Sequence, residues 1–285
     1  YLLAGIACGG QYALIAIGYT MVYGILRLIN FAHADVFMVA GLLMVYITTA
    51  VPYYVAIPLV IILTVLLAFA IEKCAYSPLR SAPRMSVMIS AIGVSYLLQN
   101  VALYATGGQP QVYPQMAFFS KTVTIFGAST KMVTVITPVL VALLTVGLVL
   151  LINKSKVGMA MRASSVDFET ARLMGIKINS VISFTFIIGA LLAAVGSLLY
   201  FNNYPSVIPT SGSMPGLKAF VSAVVGGIGS IPGAVVGAFI IGICENFLKA
   251  VGLTPFSDAF TFALLIVILC VKPSGIFGEK KIDKV

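Results

Sequence analysis

The feature that most constrains this chain is a succession of long apolar runs almost free of charge. They lie at roughly 3–26, 28–51, 54–72, 86–106, 132–152, 181–201, 217–250 and 256–271. Most approach or exceed the length that a helix needs to cross a hydrocarbon core, about 20 residues. The runs are continuous rather than alternating, which selects helices over a β-barrel. A helix also pairs its own backbone N–H and C=O groups, as lipid requires. Composition agrees: 60% of the 285 residues are hydrophobic and 9% are charged, against about 25% charged in a soluble domain. The expected fold is an all-α polytopic membrane protein with about eight hydrophobic segments, forming one transmembrane domain over 1–285.

The formal net charge is +9. In a soluble protein that excess would raise the question of nucleic acid; here the basic residues sit between spans and mark cytoplasmic loops. Lys73, Arg80 and Arg84 lie in 72–86; Lys154, Lys156, Arg162, Arg172 and Lys177 lie in 153–180; Lys272, Lys280, Lys281 and Lys284 lie in the tail. Alternation then puts the N-terminus, 107–131 and 202–216 outside and the C-terminus inside. The first run has no basic stretch before it and no evident cleavage site, so it is expected to stay as a span. Cys8, Cys74, Cys244 and Cys270 have no zinc-site spacing and are expected to be packed, unpaired thiols. With one histidine and no carboxylate cluster, a metal site is not expected.

The tail can be inside only if 217–250 crosses the membrane an even number of times. Gly226-Gly227-Ile228-Gly229-Ser230-Ile231-Pro232-Gly233 interrupts that run, and glycine and proline break helices. We expect pieces at 217–227 and 233–250, the first too short to span and therefore re-entrant or bent. Gly229, Gly233 and Gly237 recur every four residues, a stripe that lets helices approach closely; packing is the expectation for Gly233 and Gly237, and a transport route for the break itself.

A second irregularity lies earlier. Only about 16 apolar residues separate Asp35 from Pro52, short of a span, so a helix starting near Leu28 is expected, with Asn30, His33 and Asp35 at membrane depth. Ionisable groups there are expensive and mark function. The alternative is an interfacial loop, which Arg27 favours, and for His33 simple packing. The candidate route comprises Asn30, His33, Asp35, Gly226, Gly227 and Gly229, with Phe31, Val36, Val225 and Ile228 as apolar wall. Gln99 and Asn100 read as interhelical glue, and Glu245 as an i,i+4 partner of Lys249.

Segment 153–180 is the most informative polar piece. Asp167 suits an N-cap, Glu169 the first turn, Arg172 the last and Gly175 the stop. These predict a two-turn helix over 168–174 with Phe168, Ala171 and Met174 on its apolar side, preceded by a short helix near 157–164. Such a helix lies on the membrane or docks a soluble partner. The chain has no phosphate loop of the form Gly-x-x-x-x-Gly-Lys followed by Ser or Thr; ATP-driven transport would need another chain.

Four stretches make the chain recognisable: Tyr12 through Gly24, Ile29 through His33, Gly158 through Ile176, and Val225 through Ala234. In order and spacing they resemble the permeases of branched-chain amino acid ABC importers, specifically the H-type subunit of the pair. Sugar importer permeases share the last two more loosely. Ala34-Asp35 stands where that family has Gly-Glu, so an acid is kept. The resemblance implies a bacterial inner-membrane heterodimer with a second homologous permease, two cytoplasmic ATPase subunits that use ATP and magnesium, and an extracytoplasmic binding protein. It implies no cofactor and no enzymatic reaction on this chain. It makes Gly158 through Ile176 the segment that grips the ATPase, with Gly158, Arg162, Ala163, Asp167, Ala171, Arg172, Gly175 and Ile176 as candidate coupling residues. Related permeases carry urea and amides. The competing class is an ion-driven secondary transporter with His33 and Asp35 as a proton relay; an intramembrane enzyme lacks any serine–histidine or paired-aspartate constellation.

Overall fold

The computed structural model describes residues 1–80, 82–125 and 128–278, so the expected cytoplasmic lysines 280, 281 and 284 lie outside the described residues. Among the described residues twelve α-helices follow one another: α1 Leu2–Leu26, α2 His33–Ile47, α3 Tyr53–Ile71, α4 Arg84–Thr106, the single turn α5 Ala117–Ser120, α6 Met132–Lys154, α7 Lys156–Val166, α8 Phe168–Leu173, α9 Ile178–Asn203, α10 Ser213–Gly226, α11 Ile231–Ala250 and α12 Ser257–Val271. A π-helical turn, Glu72–Tyr76, continues α3. Among the described residues seven helices are long and apolar enough to cross a membrane; α2 and α10 are apolar but shorter.

The two ends of the bundle are chemically distinct. At one end Arg27 donates to the Ser165 carbonyl (3.2 Å), Lys73 to the Ser183 hydroxyl (3.1 Å), and Arg80 to Asn179. Phe277 N–H meets the Gly226 carbonyl there at 2.9 Å. The segments carrying the basic residues, including the start of the tail, thus share an end. At the other end strand β1 (Gln111–Val112) pairs antiparallel with β4 (Ser206–Val207). A hairpin of β2 (Thr122–Ile125) and β3 (Ala128–Lys131) leads into α6. The two loops expected outside therefore meet each other.

The helix order contains an inverted repeat. Helices α1 and α9 are each followed by irregular chain that turns back into the bundle, then by the half-length helices α2 and α10, then by α3 and α11, then by α4 and α12. The first set starts from the end opposite the second. The contacts obey the same relation: α1 packs on α11 as α9 packs on α3, α1 on α10 as α9 on α2, and α2 on α4 as α10 on α12. Inverted repeats of this kind are a recurring transporter architecture.

At the centre stand α1 and α9, buried on most sides, while α4, α6 and α12 are largely exposed. In lipid, helices associate by close packing rather than by a hydrophobic drive, and the α1–α11 seam shows it. A Cβ on Gly9 would sit 2.8 Å from the Ala238 carbonyl oxygen, and one on Gly242 would overlap the Gly9 backbone. Of the thiols, Cys8 is buried and Cys244 half-buried, but Cys74 and Cys270 are exposed rather than packed.

Two boundaries differ from expectation. The second span does not begin near Leu28. Arg27 takes a left-handed conformation (φ 56°) that ends α1, and α2 starts only at His33. Asn30 therefore shares no helix face with His33. The other difference is at 217–250: the break expected there spans 227–230, between α10 and α11, but its level in the bundle is not mid-depth. Gly229 lies beside Gly24, and Gly227 and Gly233 lie against the tail residues Phe277 and Gly278, all at the basic end.

Candidate functional site

Depth follows from helix rise. The His33 imidazole fills the space where a Gly18 side chain would stand and also lies against Gly189. Gly18 is eight residues before the end of α1 and Gly189 eleven after the start of α9. At 1.5 Å per residue these are about 12 and 16 Å from the basic end. The first turn of α2 is therefore near mid-bundle. So is that of α10: a Cβ on Gly212 would overlap the Ala34 carbonyl, and one on Gly216 would overlap the Ala34 side chain. Two half-helices thus meet start to start inside the bundle, where irregular backbone is tolerated only if protein or water covers it.

Beside this meeting point is a cavity of about 370 Å³. Asp35, Ser95 and Gln99 are polar residues of its lining, with Tyr96 and, at the start of α10, Ser213. Ile29, Phe31, Ile92, Leu217 and Phe220 supply apolar wall. Asp35 is only 1% exposed. Its Oδ2 accepts from the Ser95 hydroxyl at 2.5 Å and its Oδ1 from Gln99 Nε2 at 2.9 Å. Both donors are neutral, and among the described residues no cation pairs with this carboxylate. Ser95 and Gln99 are four apart on α4, which puts both on one helix face.

The expected route residues separate into three groups. Asp35 lines the cavity. Asn30 and His33 are buried but face away: the Asn30 side-chain carbonyl accepts from the Tyr76 hydroxyl of the π turn at 2.6 Å, and His33 stacks edge-on against Tyr19 with centroids 5.2 Å apart. Among the described residues no hydrogen bond joins His33 to Asp35. Gly226, Gly227 and Gly229 are not opposite Asp35, contrary to expectation; the start of α10 is. Gly227 (φ 110°) and Gly229 (φ 101°) turn the chain between α10 and α11 in conformations that L-residues rarely adopt. Gly229 borders a different cavity, of about 580 Å³, together with Arg27, Asn153 and Arg162. Of the expected wall, Phe31 lines the mid-bundle cavity, while Val36 and Val225 are buried in packing.

Sequence reasoning passed over Ser95, Tyr96, Leu217, Phe220 and, most visibly, Lys218. A lone lysine within an apolar run was the available signal. Lys218 is buried and contacts Glu245 (2.9 Å) and Asp258 (2.7 Å). Glu245 also holds Lys249 (2.7 Å), the expected i,i+4 pair, and accepts from the Tyr12 hydroxyl at 3.0 Å. Gln99 does bridge helices; Asn100 instead donates to the Tyr96 carbonyl of its own helix.

The polar segment at the basic end folds from local signals. Ser155 caps α7 by accepting from the Gly158 N–H at 2.9 Å, and a side chain on Gly158 would overlap the Ile152 backbone. Arg162 reaches back to the Asn153 side chain at 3.2 Å. Asp167 caps α8, accepting from the Glu169 N–H (2.9 Å) and the Thr170 hydroxyl (2.6 Å). The Thr170 hydroxyl, then the Glu169 N–H, hold its carboxyl below the usual range. Gly175 (φ 83°) ends the helix, with Ile176 N–H returning to the Ala171 carbonyl at 3.1 Å, the Schellman arrangement. Ala171 and Phe168 pack inward, while Ala163, Arg172 and Met174 are exposed. Met174 is thus not on the inward side with Phe168; Val166, Leu173 and Met174 present an apolar outer edge.

Comparison with known proteins matches residues 1–269 to the model for the branched-chain amino acid transport system permease component. The high-affinity branched-chain amino acid transport system permease protein BraD of Pseudomonas aeruginosa is 38% identical, covering 100% of this chain and 97% of its own length. The corresponding permease protein LivH of Escherichia coli K12 is 40% identical, covering 99% and 96%. A probable branched-chain amino acid transport permease of Methanocaldococcus jannaschii is 27% identical, covering 93% and 88%.

Proposed function

This chain belongs to the family of branched-chain amino acid transport system permease components, and we propose that it forms half of the translocation path of an ATP-driven importer for branched-chain amino acids. The observation that carries the substrate is the mid-bundle cavity. It places one carboxylate, held by neutral donors, against a wall of Ile29, Phe31, Ile92, Leu217 and Phe220. A carboxylate without a cation suits an α-ammonium group, and the wall suits a branched aliphatic side chain. Tyr96 and Ser213 belong to the same lining, and on this reading their hydroxyls serve the substrate carboxylate.

The exposed apolar edge and capped ends of α8 support docking of a separate ATPase, in the manner of a short helix seated in a partner's groove. On this reading the ATPase subunits bind ATP and magnesium, a second permease completes the path, and an extracytoplasmic binding protein delivers substrate in the inner membrane of a bacterium. The basic end faces the cytoplasm, with the N-terminus outside. The separation of His33 from Asp35 gives no support to a proton relay.

The test is purification of the intact complex, identification of the co-purifying chains, and leucine uptake into vesicles. Uptake that needs ATP and survives collapse of ion gradients is expected; uptake driven by a gradient without ATP would sink the proposal. Arg172→Glu and Gly175→Val are expected to abolish substrate-stimulated ATP hydrolysis while the protein still inserts. Normal stimulation in both would mean that α8 merely rests on lipid.

A further inference from the structure

At the basic end a separate cavity of about 190 Å³ lies between the end of α1, the residues before and within the first turn of α4, and the starts of α8 and α9. Its inner wall is apolar: Leu28, Val87, Ile178 and Ile182. Its mouth carries three guanidinium groups, Arg80, Arg84 and Arg172. Neither the mid-bundle cavity nor the docking edge of α8 accounts for this combination.

The three arginines are unequally committed. Arg80 donates to the buried Glu72 carboxylate and to Asn179, and its Nε is buried without a partner among the described residues. Glu72 is shared with Lys73 at 3.3 Å. Arg84 and Arg172 make no ion pair among the described residues. The mouth therefore holds more positive than negative charge, and guanidinium forks match the oxygen spacing of a phosphate.

We propose that this cavity binds the phosphate headgroup of an anionic phospholipid. Its volume corresponds to about six waters, which suits a phosphodiester and the first carbons of its glycerol, not a whole lipid. The remainder has a continuous apolar surface to follow, since Met85 and Ile89 of α4 stand exposed next to Arg84 and Val87. The site lies where the basic residues place the headgroup layer. A free phosphate or an acidic side chain from a partner would satisfy the arginines and leave the apolar wall unused. Because Arg84 opens α4 and Arg172 sits on α8, a bound headgroup ties a span to the docking helix; that consequence, unlike the binding, rests on the function proposed above.

The experiment uses the purified full complex in nanodiscs containing a photoactivatable phosphatidylglycerol, with mapping of labelled peptides. Labelling within 82–87 and 176–182 is expected, falling at least about fivefold in Arg84→Gln and less in Arg84→Lys, with phosphatidylcholine giving only background. Equal labelling by phosphatidylcholine, or labelling unchanged in Arg84→Gln, would overturn the proposal. Loss of labelling on adding inorganic phosphate at matched ionic strength would overturn it in favour of a free anion. A photoreactive residue at position 84 that captures an ATPase subunit and no lipid would overturn it in favour of a protein contact. The wild-type map stands even if a variant fails to fold, and lipid labelling does not require transport, so failure of the importer reading leaves this result separately legible.

Discussion

The half-helices α2 and α10 start at one level and run in opposite directions, yet each treats its single charged residue differently. Asp35 in α2 is held by two neutral side chains of α4, the last helix of its repeat. Lys218 in α10 is held by carboxylates of α11 and α12, the last helices of the other repeat. Among the described residues the first has no cation partner at the edge of its cavity; the second is neutralised within an ionic cluster. An unanswered charge in a membrane domain is expensive, and its retention points to use. A cluster with both signs acts as a strut. The two halves of the repeat thus share a scaffold and differ in how a charge is held: the proposed function gives the first to cargo, and the ionic cluster ties α10, α11 and α12 together in the second.

The strongest test of this contrast is Glu245→Ala. It removes the partner of Lys218, Lys249 and Tyr12 together, and breaking a buried pair costs roughly 3–5 kcal/mol. Lys218 keeps Asp258, which is half exposed, so the lower end of that range is expected. Thermal unfolding in detergent should show a large loss. Replacing both Lys218 and Glu245 with methionine should recover part of it; no recovery would mean that the cluster is not acting as a unit.

Asp35→Asn should do the opposite, leaving unfolding nearly unchanged while leucine uptake falls about tenfold or more. That range follows from hydrogen bonds to charged groups of about 1.5–3 kcal/mol and about 1.4 kcal/mol per tenfold. Binding-protein affinity should not move. If Asp35→Asn destabilises as much as Glu245→Ala, both charges are structural and the contrast collapses.

A smaller effect is expected where α2 enters the bundle. Gly18→Ala forces the His33 imidazole out of its seat, an overpacking cost of roughly 1–3 kcal/mol. His33→Ala should lower stability but leave transport per inserted molecule within about twofold, as for a packing residue. Combining the two should be non-additive, because the alanine methyl occupies space the imidazole vacates; simple additivity would place the ring elsewhere.

Smallest is the exposed counterpart of Asp35. The Thr170 hydroxyl and Glu169 N–H hold the Asp167 carboxyl below its ordinary range. A depressed carboxyl contributes to folding above its unfolded pKa, and the contribution is lost as pH falls through the folded value. Asp167→Asn, which still caps, should therefore leave coupled ATP hydrolysis unchanged at neutral pH and differ from the wild type only in acid. A neutral-pH defect would assign the charge itself a role at the docked ATPase.

How much was legible beforehand depended on the range of the interaction. The caps of α8, Asp167 and Gly175, were readable because the groups they satisfy lie within three or four residues. The break between α10 and α11 was readable because Gly227 and Gly229 need positive φ locally. The start of α2 was not: an apolar run from Leu28 onward looks helical, and it is Arg27 in a left-handed turn, with Asn30 tied to Tyr76 some 46 residues away, that delays the helix to His33. The same limit hid the cavity. Its polar side comes from α4 and its apolar side partly from α10, and only packing brings them together.

The sequence by itself determined that this chain lives in a bilayer, where most of its long apolar helices lie, which basic segments share an end, and where the short helix α8 begins and stops. Each of those follows from hydropathy, charge or capping over one or a few turns. The tertiary structure alone decided that two half-helices meet at mid-bundle and that Asp35 faces a cavity while Lys218 does not. It also decided that the glycine break sits at the basic end instead of opposite Asp35. The Lys218 cluster joins groups up to 233 residues apart. Depth and charge compensation are properties of neighbouring helices, and no window of sequence contains the neighbour.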